Sequence, residues 1–103
     1  MKMAIFCLTC ANSKEADKIS KALLEKKLVV CSKRFPVSSI YRWKGKINSS
    51  KEVMVLYESV EENFDKVEEE VRKLHSYETF VLFSLPVNKT TKSVKDWLKE
   101  ETN

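Results

Sequence analysis

Four strand-like runs alternate with stretches of helical period, and that order leaves few folds open. Met3 to Thr9 is an almost unbroken apolar run, as expected for a strand buried on both faces. Asn12 then offers a side-chain oxygen to a helix start, with Glu15 three residues on, close to a capping box. Ala16, Ile19, Leu23 and Leu28 line one face of that helix, and lysines and carboxylates line the other. Val29 to Phe35 opens a second strand, which continues past Pro36. Proline cannot donate to a sheet ladder, so an edge or bulge is expected there. Glu52 to Tyr57 reads as a third strand. Ser59 followed by Glu62 forms a capping box for a second helix, in which Phe64, Val67, Val71 and Leu74 share a face. Glu78 to Val87 is a fourth strand. Thr90 or Thr91 caps a last helix with Val94, Trp97 and Leu98 facing inward.

Strand, helix, strand, strand, helix, strand is the split β-α-β pattern of α+β, ferredoxin-like folds. It places helices on one face of an antiparallel βαββαβ sheet, here with an extra C-terminal helix. At 103 residues the chain forms one domain, residues 1–103, large enough to bury a core without disulfides or metals.

Val37 to Lys46 is the most distinctive stretch. Tyr41 and Trp43 share one face of an extended segment, while Ile40, Arg42 and Lys44 share the other. The turn chemistry of Ile47 to Lys51 ends it. Eleven residues from Val37 to Ile47 would reach about 36 Å at the usual strand rise. That is long for a small domain, so part of this hairpin is expected to find partners in another subunit.

Composition excludes several classes. Lysines and arginines are interleaved with carboxylates, so the formal charge of +4 does not form a nucleic-acid stripe. No apolar run approaches membrane-spanning length. A single glycine excludes the usual dinucleotide and phosphate-loop fingerprints, and no organic cofactor is expected. No nucleophile and base stand together, so an enzyme is not expected. Three cysteines with no secretory signal point to free thiols and a cytoplasmic setting.

Ser39-Ile40-Tyr41-x-Trp43-x-Gly45-Lys46, Glu52-Val53, Leu74-His75-x-Tyr77-Glu78, Trp97 and Cys31 together resemble the CutA family, the divalent-cation tolerance proteins. The match runs along nearly the whole chain. The resemblance implies a homotrimer with a cleft between subunits, lined by Tyr41, Trp43, Tyr77 and Glu78. It also implies a response to copper or another divalent cation. The chain departs from the family at three places. Ser76 stands where proline is usual, Thr79-Phe80 replaces a stretch that usually holds another proline, and Glu58 stands where lysine is common, reversing a charge near the cleft.

His75, the only histidine, is the first metal-ligand candidate, with Glu78 and Cys31 as co-ligands from the same or a neighbouring chain. Cys7-Leu8-Thr9-Cys10 raises a copper-chaperone alternative. Two thiolates grip a soft ion only if the backbone turns between them, and in a straight strand they face opposite ways. A trimeric small-molecule sensor resembling PII-type regulators is the other alternative. It requires convergent polar groups in the cleft.

Overall fold

β1 (Met3–Cys10) runs through the middle of a four-stranded antiparallel sheet in the computed structural model, which describes residues 1–103. The strand order is β2 (Cys31–Trp43), β3 (Lys46–Val60), β1, β4 (Leu82–Pro86). α1 (Ser13–Glu25) connects β1 to β2, and α2 (Phe64–Leu74), entered through a short turn of 3-10 helix at Glu61–Asn63, connects β3 to β4. α3 (Lys92–Glu101) closes the chain. This is the ferredoxin-like arrangement expected from the order of periodicities.

Alternation along the central strands divides the molecule into a core face and an open face. Ala4, Phe6, Leu8 and Cys10 on β1 stand beside Val53, Val55 and Tyr57 on β3, all essentially inaccessible. Ala16, Ile19 and Leu23 of α1 and Val67 and Val71 of α2 complete that cluster. Burying a large side chain of this kind contributes about 1.5–3 kcal/mol. The odd-numbered residues of β1 and β4 face the other way, and no helix of the subunit matches the core packing there. Phe35, Tyr41, Trp43, Val81, Phe83 and Leu85 each leave roughly two-fifths or more of their surface exposed.

Local chemistry accounts for the element ends. Asn12 Oδ1 accepts from the Glu15 N–H, and Glu15 Oε1 accepts from the Ala11 N–H, the reciprocal cap expected of this pair shifted by one residue. α1 ends with Lys27 at φ 58°, its N–H donating to Leu24 and the next N–H donating to Leu23. That is the Schellman pattern, here carried by a lysine in the left-handed region. Thr91 caps α3 through the Val94 N–H.

Three expectations are corrected. The hairpin turns at Lys44-Gly45, both at positive φ, and not at Ile47 to Lys51, which lie within β3 and pair with Ser38 to Arg42. Positive φ at both central residues makes a two-residue type I′ turn, whose twist suits the flanking strands. The long reach nevertheless survives, because β2 and β3 stay paired for 13 rungs from Cys31↔Glu58 to Trp43↔Lys46. Ser59 caps no helix. It is the penultimate residue of β3, and its hydroxyl donates to the Leu28 carbonyl. The fourth strand begins at Leu82, because Glu78 to Val81 cross from α2 back to the sheet as an irregular segment. Pro36 lies on the edge strand β2, where its missing N–H leaves no inner ladder bond unmade.

Gly45 has φ +79° and open space around its Cα. Gly45→Ala is therefore expected to destabilise the protein by about 1 kcal/mol through backbone strain alone, with no clash. Urea denaturation of the two proteins measures it.

Candidate functional site

The segment after α2 folds over the end of β1. His75 terminates α2, and its own N–H closes the last turn on Val71. Its side chain is fully buried. Nε2 lies 2.8 Å from the Thr9 carbonyl, which can only accept, so Nε2 carries the proton. Nδ1 lies 3.0 Å from the Tyr77 amide nitrogen, which can only donate, so Nδ1 accepts. The ring is the neutral Nε2–H tautomer with both nitrogens engaged. It stacks on Phe80 at 5.2 Å and 18°, and the Arg72 guanidinium lies over the Phe80 ring, 4.9 Å from its centre.

Glu15 joins this lock from α1. Oε1 accepts from Ala11 N–H and Oε2 from Ser76 N–H at 2.7 Å, with His75 Nδ1 at 3.6 Å from Oε1. Burial works against the carboxylate. The N–H donors of Ala11 and Ser76 outweigh it and hold the group below its ordinary value of 4.5. Ser76, which replaces the usual proline, supplies an N–H that proline lacks.

Cys10, Glu15 and His75 place ligand-type atoms within 4.8 Å of one another. The donor set does not fit a metal. Both imidazole nitrogens and both carboxylate oxygens are already hydrogen bonded. Burial, reinforced by Glu15, pushes the Cys10 thiol up to about 12, far from the thiolate a metal requires. The cluster joins β1, α1 and the α2–β4 segment.

The other predicted residues separate into distinct places. Cys31 pairs with Glu58 across β2 and β3, while Thr9, the partner of His75, lies four rungs along at Met54. Four rungs correspond to about 13 Å, so one subunit does not bring Cys31 to His75. Lys33 instead reaches both the Cys31 Sγ at 3.5 Å and the Glu58 carboxylate, so the reversed charge at Glu58 is answered within the subunit. Glu78 is exposed, in no strand, and makes no ion pair. The acceptor for the Tyr77 hydroxyl is Glu52, at 2.7 Å, and not the neighbouring Glu78. Burial and then Glu52 raise the Tyr77 phenol well above its usual range. Tyr41 bonds Ser50 Oγ at 2.9 Å, one alternate position before Glu52 on the same face of β3. Trp43 stands at the hairpin tip, 45% exposed, with Lys44 Nζ 5.8 Å from its ring centre.

Cys7 and Cys10 both lie within β1 and both are buried, Cys7 on the open face and Cys10 in the core. The backbone makes no turn between them, so they cannot chelate together and the chaperone reading is overturned.

Glu52 was not among the candidates read from the sequence, although it stands in the Glu52-Val53 pair of the family pattern. A lone carboxylate beginning an apolar strand run was the available signal.

Because the folded state holds Glu15 below its unfolded value, its contribution is present above about pH 4.5 and lost as pH falls through the depressed folded value. Glu15→Gln is expected to cost about 1–3 kcal/mol near neutrality and to flatten the acid limb of the stability curve. Urea midpoints measured between pH 3 and pH 7 test both effects.

Comparison with known proteins agrees with this architecture. A family model described as CutA1 divalent ion tolerance protein matches residues 4–101. The divalent-cation tolerance protein CutA of Thermotoga maritima is 38% identical over 98 residues, covering 95% of this chain and 97% of that one. Its counterpart from Archaeoglobus fulgidus is 37% identical over 93 residues, covering 90% and 91%. The structure of the Archaeoglobus fulgidus protein, described as periplasmic, superposes with a TM-score of 0.94 at 34% identity, covering 96% of this chain and 97% of that one. The Thermus thermophilus structure gives 0.94 at 31%, covering 98% and 99%. From its strand order to its signature residues, this chain belongs to the CutA family of divalent-cation tolerance proteins.

Proposed function

We propose that the chain is a non-enzymatic homotrimer that contributes to divalent-cation tolerance through a cleft between its subunits. The observation that carries this reading is the open sheet face. Six large apolar side chains, two-fifths or more exposed, lie on a face continuous with a hairpin too long for one small domain. Covering each would contribute about 1.5–3 kcal/mol, and closing the exposed edge of β2 would remove a site of aggregation. Tyr41, Trp43 and Tyr77 then line the cleft, with Glu78 at its rim.

Copper or another divalent cation would draw on exposed Glu78 and half-buried Cys31 from adjoining subunits. His75 is a ligand only if it releases Thr9 or Tyr77. Three free thiols suit a reducing, cytoplasmic setting. A trimeric small-molecule sensor is the second reading. It is favoured by the convergence of Tyr41, Ser50, Glu52 and Tyr77, which supplies the polar groups such a cleft needs.

Sedimentation equilibrium at micromolar protein is expected to show three chains per particle. Trp43→Ala is expected to cost about 3–5 kcal/mol, as for a buried aromatic, and to make unfolding more dependent on concentration. A monomer in sedimentation would overturn the trimer. Copper calorimetry on wild type, His75→Ala and Cys31→Ser/Glu78→Gln tests the metal. Loss confined to the Cys31/Glu78 variant is expected. Loss confined to His75→Ala would relocate the site, and no binding to any of the three would make cation tolerance indirect.

A further inference from the structure

Glu52 is the one carboxylate of the open face that is more than nine-tenths buried and has no cationic partner. It is 8% exposed and forms no ion pair, whereas Glu58, on the same face of β3, is paired with Lys33. Its Oε2 accepts from the Tyr77 hydroxyl. Its Oε1 makes no hydrogen bond, and no fully buried side-chain oxygen in the molecule lacks one, so Oε1 opens to solvent. Around it stand Val37 across the ladder, Met54 beside it on β3, and the linked hydroxyls of Ser50 and Tyr41. A charge this buried is costly unless something answers it. One phenol supplies a hydrogen bond but no positive charge.

We propose that this recess is a binding subsite for a small primary ammonium ion, with Glu52 Oε1 as its anchor. The inference rests on the sensor reading of the cleft and names its ligand class. An ammonium head has three donors and no acceptor. One donor meets Glu52 Oε1, and the others meet the lone pairs left on Ser50 Oγ and the Tyr41 oxygen. The tyrosine rings favour a cation near their faces, and Val37 and Met54 accommodate a short alkyl stem.

The same geometry disfavours other cations. Hard divalent ions take six or more oxygen ligands, and this recess holds one carboxylate with one free oxygen. Soft ions require sulfur or nitrogen. The Met54 thioether is engaged by the Thr9 hydroxyl and both nitrogens of His75 are committed. A guanidinium prefers a two-oxygen grip, and Tyr77 already holds Oε2.

The probe is n-butylammonium, titrated by calorimetry into wild type, Glu52→Gln and, as a control on the exposed side of α2, Glu69→Gln, with sodium butyrate and calcium as comparisons. Saturable binding of butylammonium alone is expected, weakened at least tenfold in Glu52→Gln and unchanged in Glu69→Gln. Without amine, Glu52→Gln is expected to melt at the wild-type temperature or above it, because it removes an unanswered buried charge while keeping the Tyr77 hydrogen bond. No saturable binding by wild type, equal binding by Glu52→Gln, or preferential binding of calcium would overturn the proposal. So would dissociation of the oligomer in Glu52→Gln without amine binding by wild type, since Glu52 would then answer a cation of a second copy. Sedimentation of the same samples separates the two readings. Amine binding by a monomer would leave the subsite standing and remove the trimer, and an intact trimer with no amine binding would do the reverse.

Discussion

The imidazole of His75 ties together two parts of the chain that are 66 residues apart. One ring nitrogen donates to the Thr9 carbonyl at the end of β1, and the other accepts from the Tyr77 amide. From the same residue the Tyr77 phenol reaches Glu52 on β3. Glu15 reinforces the arrangement from α1 by accepting from Ser76. A buried ring with an unsatisfied nitrogen would cost about 1–3 kcal/mol, so the segment from His75 to Tyr77 has one favoured path.

A histidine at the end of a helix, beside a carboxylate and a thiol, has the composition of a metal centre. The hydrogen bonds decide otherwise within the subunit. A ligand must offer a lone pair, and within the cluster both ring nitrogens of His75 are engaged and the Cys10 thiol is protonated, which leaves Glu15 as the one group with lone pairs to spare. Residue type and proximity describe which atoms meet. The tautomer and the protonation state determine what they can bind.

The two faces of the sheet carry different functions of the same strands. Alternation puts Val53, Val55 and Tyr57 into the helix-covered core and puts Glu52, Met54 and Leu56 on the face left open. The core needs only shape and apolarity, and inside it the Tyr57 hydroxyl is satisfied through Ser20 at 2.9 Å. The open face combines uncovered apolar side chains with a polar strip through Tyr41, Ser50, Glu52 and Tyr77. An apolar surface interrupted by ordered polar groups suits an interface that also encloses a ligand.

Local patterning was sufficient for the type and order of the elements, for the Asn12 cap, for a threonine cap at position 90 or 91 and for the inward faces of α1 and α2. Those features depend on residues within one or two helical turns of each other. The hairpin turn was misread because Asn48, Ser49 and Ser50 have turn chemistry. Cross-strand pairing of 13 rungs overrode that preference and placed the reversal at Lys44-Gly45. Ser59 was likewise a plausible cap until the Leu28 carbonyl, 31 residues away, claimed its hydroxyl. Which lone pairs of His75 are free, whether Cys31 lies near it, and whether Glu52 has a counterion are decided only in three dimensions. Each depends on partners distant in sequence, and the register that brings them together is a property of the whole sheet.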